Sequence, residues 1–77
     1  MKVHVSMFAN LRQYAPAGAG SFTLNMTSGS TLKNLIDTLN IPQGVNMVVL
    51  INGRRADVET RLSSEDKLTL FPPIEGG

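Results

Sequence analysis

The segment FPPIEGG, residues 71–77, holds the residues whose types and spacing point most directly to chemistry. Pro72 and Pro73 fix φ and favour an extended chain, so we expect them to hold the residues that follow away from the sheet. Gly76 and Gly77 have no side chains and can pass through a channel too narrow for any other residue. The α-carboxylate of Gly77 would then be the reactive group, and ATP activates a carboxylate by forming an acyl-adenylate. The alternative is an ordinary chain end, since glycine makes up about 7% of average sequences.

Composition narrows the other chemical possibilities. The chain has 77 residues, no cysteine and one histidine, His4. The lack of cysteine excludes a disulfide scaffold and a cysteine nucleophile, and one histidine argues against a histidine-based metal site or catalytic triad. A domain of this size buries only about 60% of its unfolded surface, which leaves no room for a deep pocket beside a full core. We therefore expect no enzyme active site within this chain alone, and we expect His4 to be an ordinary outward-facing strand residue.

Charge and hydropathy bear on the expected cellular location and on the expected classes of binding partner. The net charge of +1 gives no strong field to attract nucleic acid or an anionic membrane surface. The sequence shows neither a secretory signal nor a membrane-spanning stretch. We expect a cytoplasmic protein that binds neither nucleic acid nor membranes.

Hydrophobic periodicity predicts the elements that position the tail. Period-2 alternation and short apolar runs predict strands at 2–8, 21–26, 47–51, 54–56 and 67–71. The run MVVLI in the third strand is typical of a strand covered on both faces. The dipeptide Asn52-Gly53 predicts a tight hairpin between the third and fourth strands.

One amphipathic helix is predicted between the second and third strands. Its apolar stripe is formed by Leu32, Leu35, Ile36 and Leu39. Thr31 is the expected N-cap, but Asn34 stands where a capping box normally has Glu or Gln. Asn40 and Pro42 are expected to end the helix.

The order strand, strand, helix, strand, short strand, strand favours an α+β, ubiquitin-like β-grasp fold. In this fold one main helix packs across one face of a mixed sheet. We assign residues 1–71 to the β-grasp domain and residues 72–77 to an extended Pro-Pro/Gly-Gly tail. Leu62 is the expected apolar anchor of the polar connection 57–66.

Phe8 and Phe71 form a second candidate feature. Alternation places both on the face opposite the core, and a β-grasp sheet makes the first and last strands neighbours. Two exposed aromatic rings beside the tail would form a docking patch for a partner protein. The alternative is that the segment QYAPAGAG covers one or both rings.

The two ends of the chain resemble the MoaD/ThiS family of ubiquitin-like sulfur carriers. The residues that carry the resemblance are LFPPIEGG at the C-terminus and FANLRQ near the N-terminus. The FPP-x-x-GG ending is most similar to that of the small subunit of molybdopterin synthase. The resemblance implies partner contacts by Phe8, Phe71, Pro72, Pro73, Ile74 and Glu75, and also allows Arg12 a partner contact.

The resemblance also implies a mechanism. An E1-like adenylating enzyme would use ATP to activate the carboxylate of Gly77, at the end of the Gly76-Gly77 arm. A persulfide sulfur donor protein would then supply sulfur, leaving a thiocarboxylate. The large subunit of molybdopterin synthase would receive this tail and pass the sulfur to a precursor of the molybdenum cofactor. The chain itself would be a carrier and co-substrate, not an enzyme, and would bind no cofactor.

Other readings stay open. The sulfur could serve thiamine or another metabolite, or the chain could be a ubiquitin-like modifier joined to proteins through Gly77. A plain β-grasp interaction domain with an incidental tail is the third possibility. Arg54, Arg55 and Arg61 form a basic cluster that either meets acidic residues of the activating enzyme or is simply a solvated face. Relatives often carry a more apolar residue near Arg55, which leaves the identity of the large-subunit partner open.

Overall fold

The computed structural model describes residues 1–73 and shows a mixed five-stranded sheet with the order β2-β1-β5-β3-β4. The elements in chain order are β1 Lys2–Met7, β2 Ser21–Asn25, α1 Leu32–Thr38, β3 Val48–Ile51, β4 Arg54–Arg55 and β5 Lys67–Phe71. β1 pairs with β5 in parallel, and the other strand pairs are antiparallel. This confirms the predicted β-grasp fold. The expectations for Ile74, Glu75, Gly76 and Gly77 lie outside the described residues, so the tail boundary at 72 stays a prediction.

The inner face of the sheet is built by strict alternation in its two central strands. In β1 every second side chain, from Val3 to Met7, is buried, and in β5 Leu68 and Leu70 are buried in the same way. Val5 pairs with Leu68, so the two strands direct their apolar residues to the same side. The predicted adjacency of the first and last strands is confirmed.

Helix α1 covers this inner face and is short. Its residues Leu32 and Leu35 are fully buried and belong to the same core cluster as the β1 and β5 side chains. The capping box is complete, contrary to the expectation drawn from Asn34. The Thr31 N–H donates to Asn34 Oδ1 at 2.8 Å, and the Asn34 N–H donates to Thr31 Oγ1 at 3.3 Å. Asn34 thus replaces the usual Glu or Gln. Asn40 ends the helix with a left-handed φ of 57°.

The β3–β4 hairpin follows the prediction with small differences. Its turn residues Asn52 and Gly53 have φ values of 54° and 83°, which is the geometry of a type I′ turn. β3 begins at Val48, one residue later than predicted, and β4 ends at Arg55, one residue earlier. The prediction of a strand covered on both faces is wrong. Only Val49 is buried in β3, because the helix and core cover the inner face alone.

The connections supply the remaining core contacts. Leu62 is buried and anchors the connection between β4 and β5, as predicted. Between β1 and β2 the chain forms two 3₁₀ helices, Ala9–Tyr14 and Pro16–Gly18. Leu11 is the buried residue of the first of them. None of the helices within residues 1–73 has the length and apolar character needed to cross a membrane.

Candidate partner-docking site

Phe8, Phe71 and Val48 come together across three neighbouring strands. The last registered pair of β1 and β5 is Met7 with Leu70, and the Phe8 N–H continues this ladder by donating to the Leu70 carbonyl at 3.0 Å. Phe8 therefore lies beside Phe71, and Phe71 in turn pairs with Val48 of β3. Adjacent strands are about 4.8 Å apart, so these three side chains form one row on the outer face of the sheet.

The row continues into a wider apolar patch. Leu50 lies two residues along β3 from Val48 and shares its face, because side chains alternate along a strand. Phe8 is 52% exposed, whereas Phe71, Val48 and Leu50 are half-buried. We call these four residues the outer apolar patch. Phe8 remains exposed rather than covered by the segment QYAPAGAG, whereas Phe71 is only partly exposed.

The outer apolar patch lies where the chain leaves the sheet. Phe71 is the last residue of β5 and is followed directly by Pro72, which is half-buried, and Pro73, which is exposed. The two prolines therefore begin at the patch itself. A partner that covers the patch would contact the start of the segment 72–77, which is the arrangement expected of a surface that presents a tail.

The three arginines of the predicted basic cluster do not share a face. Arg55 pairs with Leu50 and so lies on the outer face, at the margin of the outer apolar patch. Arg54 pairs with Ile51, whose other partner is the buried Leu68, and so belongs to the opposite face. Arg61 forms a β-bridge with Thr31 at the start of α1. The cluster prediction is wrong because neighbours in a strand point to opposite sides.

His4 and Arg12 make side-chain contacts outside the patch. His4 Nε2 is 3.0 Å from Glu65 Oε1, and this hydrogen bond, together with the nearby Lys2, lowers the pKa of the Glu65 carboxyl below its ordinary value. Arg12 donates from Nε and Nη2 to the Gly18 carbonyl and so braces the β1–β2 connection. Within residues 1–73 no group of three or more histidine or carboxylate side chains is placed to hold a metal ion.

A groove on the helix side of the molecule was not predicted. It has a volume of about 300 Å³ and is lined mainly by Ile36, Pro42, Val45, Met47 and Val58, and within residues 1–73 its one charged lining residue is Lys33. Met47 is half-buried at this groove. The sequence signal was Val58, an apolar residue inside a polar connection, which is 47% exposed.

The fold can be compared with those of known proteins. SAMP1, a small archaeal modifier protein from Haloferax volcanii, superposes with a TM-score of 0.80 and 24% identity, each chain being covered completely. A putative molybdopterin converting factor subunit 1 from Pyrococcus furiosus gives 0.79 and 24%, with 95% of this chain and 98% of that chain covered. Subunit 1 in its complex with subunit 2 of the molybdopterin-converting factor from Helicobacter pylori gives 0.68 and 24%, with both chains fully covered.

At these identities the solved structures establish the fold. No curated protein matches the chain. The family comparison is more specific, because residues 5–77, nearly the whole chain, match the ThiS family model. The five-stranded sheet, the helix α1 and this match agree with one another, and the chain therefore belongs to the ThiS family of small ubiquitin-like proteins with the sulfur-carrier fold.

Proposed function

We propose that this protein is a sulfur carrier whose C-terminal carboxylate, on Gly77, is converted to a thiocarboxylate that donates sulfur in molybdopterin biosynthesis. The observation that carries the proposal is the position of the outer apolar patch. In a ThiS-family fold the patch lies where Pro72 and Pro73 leave the sheet. The sequence then continues to Gly76 and Gly77. A partner that recognises the patch is thereby placed to receive the last residues of the chain.

The reaction proceeds in steps that the partner enzyme catalyses. A carboxylate oxygen of Gly77 attacks the α-phosphorus of ATP, and pyrophosphate leaves. The terminal sulfur of a protein persulfide then attacks the acyl carbon, and AMP leaves. Cleavage of the S–S bond by a thiol releases the thiocarboxylate and leaves a disulfide on the donor side. The chain contributes the acyl group, a bare Gly76-Gly77 arm that fits a narrow channel, and a stiff Pro72-Pro73 base.

The outer apolar patch supplies the binding energy that holds the chain during these steps. Aromatic side chains are enriched at the centres of protein interfaces and contribute most of the affinity there. Phe8 and Phe71 meet this description, with Val48 and Leu50 beside them. An E1-like adenylating enzyme and the large subunit of a molybdopterin synthase are the proposed partners. The complex of subunits 1 and 2 from Helicobacter pylori supports a partner of the second kind.

Conjugation to other proteins is the second candidate function. The likeness to SAMP1, described as a small archaeal modifier protein, favours it. Activation of Gly77 is common to both functions, but a modifier passes its acyl group to a lysine amine instead of accepting sulfur. Deleting the gene separates the two. Loss of molybdoenzyme activity supports the carrier, and loss of a ladder of protein conjugates supports the modifier.

The decisive experiment is an intact-mass measurement. The protein is incubated with ATP, its E1-like enzyme and a persulfide donor, and the expected shift equals one oxygen replaced by sulfur. A variant with one residue added after Gly77 is the matched control and is expected to show no shift. An unchanged mass with an enzyme that adenylates a known substrate would contradict the proposal and favour a plain interaction domain.

A further inference from the structure

The turn between β3 and β4 contains the most reactive asparagine sequence of the chain. Of the six asparagines, only Asn52 is followed by glycine. Gly53 has a left-handed φ of 83°, and a Cβ placed on it would meet no atom within 4 Å. Gly53 is exposed, and its backbone nitrogen has no side chain on the same residue to shield it from water.

An asparagine in this setting undergoes a defined covalent change. The backbone nitrogen of Gly53 attacks Cγ of Asn52 and loses its proton to water, and the bond from Cγ to Nδ2 breaks as ammonia leaves. Water then opens the resulting cyclic imide at either carbonyl. The product is aspartate or isoaspartate, and the net reaction consumes one water and releases one ammonia.

The native contacts hold the Asn52 side chain away from this reaction. Its Nδ2 donates to Asp66 Oδ1 at 2.9 Å, and its Oδ1 accepts from the Lys67 N–H at 3.0 Å. Asp66 is only 8% exposed, and its second oxygen accepts from the Ser63 N–H at 2.7 Å. Both polar atoms of the Asn52 amide are thus held by hydrogen bonds, to Asp66 and to Lys67 at the start of β5. Turning the amide so that Cγ meets the Gly53 nitrogen would break these bonds.

We propose that Asn52 is a latent deamidation site, kept unreactive in the folded protein by its contacts with Asp66 and Lys67. Once deamidation occurs, the contact cannot re-form. The product carries a carboxylate where Nδ2 donated to Asp66, so two carboxylates face each other across about 3 Å, an arrangement that disfavours ionisation of both. Isoaspartate also adds a carbon to the backbone of a two-residue turn. Deamidation therefore weakens the attachment of the β3–β4 hairpin to β5.

The rate test compares folded and unfolded protein at mildly alkaline pH. Deamidation of Asn52 is followed by intact mass and by mapping of the peptide that contains it. We expect the folded chain to react at least about tenfold more slowly than the same chain in concentrated urea. A tenfold change corresponds to about 1.4 kcal/mol, no more than one hydrogen bond to a charged group contributes. Equal rates in the two states would overturn the proposal.

Two variants assign the protection to Asp66. Asp66→Ala removes the acceptor and is expected to accelerate deamidation at least about tenfold under folding conditions. Asp57→Ala is the matched control, because Asp57 accepts hydrogen bonds within its own loop, from Glu59 and Thr60, and is expected to leave the rate unchanged. An equal acceleration in both variants would contradict a specific role for Asp66. Circular dichroism checks that each variant is folded, and the urea comparison stands without either of them.

The consequence of the modification has its own test. Asn52→Asp imitates one product and is expected to unfold at lower urea concentration than wild type at pH 7. Adding Asp66→Asn restores a neutral partner and is expected to recover part of the loss. If Asn52→Asp is as stable as wild type, the predicted weakening of the hairpin is wrong.

Discussion

Phe8 and Val58 are the two large apolar side chains within residues 1–73 that stay exposed in the folded protein, with exposed fractions of 52% and 47%. Neither is required to fill the core. They differ in location, because Phe8 lies beside Phe71 in the outer apolar patch and Val58 lines the groove on the helix side. Substitutions at the two residues therefore distinguish the effect of exposure on partner binding from the effect of position.

Replacing Phe8 by alanine is expected to weaken binding to the proposed E1-like enzyme at least about tenfold, since truncation of a hot-spot aromatic costs about 2 kcal/mol or more of binding free energy. Val58→Ala is the matched control and is expected to leave this affinity unchanged. Both variants are expected to keep the stability of wild type within about 0.5 kcal/mol, because exposed side chains leave no cavity. Calorimetric titration measures affinity, and urea unfolding measures stability. Equal losses of affinity in the two variants would place the partner elsewhere.

A second residue-scale prediction concerns the hydrogen bond between His4 and Glu65. This bond is the main cause of the lowered pKa of Glu65. A lowered carboxyl pKa contributes stability that is present above the ordinary pKa and is lost as the pH falls through the pKa of the folded state. In His4→Ala we expect the pKa of Glu65 to rise towards its ordinary value. Carboxyl NMR titration measures the pKa of Glu65. An unchanged pKa would show that the hydrogen bond between His4 and Glu65 is not formed in solution.

At the scale of elements, strand register decides which basic residues lie near the outer apolar patch. Arg54 and Arg55 are adjacent in β4, yet pairing with Ile51 and Leu50 sends them to opposite faces. Lys67 in β5 and Lys2 in β1 also lie on the outer face by alternation. Among the described contacts, the acidic residue on that side is Glu65, which is hydrogen-bonded to His4. A partner surface with acidic residues around an apolar centre would complement this face.

Charge reversal at adjacent positions tests this arrangement. Arg55→Glu is expected to slow association with the activating enzyme several-fold at low salt, and the difference should shrink as salt is added. Arg54→Glu carries the same change in net charge on the other face and is expected to behave as wild type. Stopped-flow association rates at several salt concentrations provide the measurement. Identical slowing by both variants would show that net charge matters and position does not.

Several elements were predictable because their signals are local. The alternation around Val3 and Val5 and the dipeptide Asn52-Gly53 each specify structure within a few residues. The first 3₁₀ helix, with Leu11 as its buried residue, is too short for a helical period to be read. The capping box formed by Asn34 was not predicted, because its side chain is shorter than that of the Glu or Gln usually found at this position.

The candidate site was predictable only where alternation is visible. Phe8 directly follows the alternating strand β1, and Phe71 is the last residue of the alternating strand β5. Their outward direction could therefore be predicted from the sequence. Val48 and Leu50 sit in the unbroken apolar run MVVLI, where only pairing with β5 tells the two faces apart. The groove at Val58 depends on how distant loops meet, which no local pattern encodes. The expectations for 74–77 stay predictions.

At the scale of the whole molecule, β5 is the central strand of the sheet and joins its two halves. On one side it pairs with β1 in parallel, and on the other with β3. Leu70 is completely buried within β5 and belongs to the core cluster. Native proteins are stable by only about 5–15 kcal/mol, so the loss of a single large contact at this position is a sizeable fraction of the total.

Leu70→Ala is expected to lower the free energy of unfolding by about 2–5 kcal/mol, the range for removing a buried leucine side chain. Leu24→Ala, in the edge strand β2 and half-buried, is the control and is expected to lose clearly less, because its site is partly open to water. Urea unfolding followed by circular dichroism gives both values. A loss at position 24 equal to that at position 70 would contradict the view that β5 is the centre of the core.

The central place of β5 has a consequence for synthesis on the ribosome. β1 with β2 and β3 with β4 are made first, as two separate local pairs, and the strand that joins them is the last of the five in chain order. A nascent chain therefore cannot close its sheet until β5 has emerged, and the edges of β1 and β3 that pair with β5 stay open until then. Residues 72–77 follow β5 directly, so a product truncated before the sheet can close also lacks the glycines. An activating enzyme of the proposed kind, which would recognise the C-terminal glycines, would thereby also reject such truncated protein.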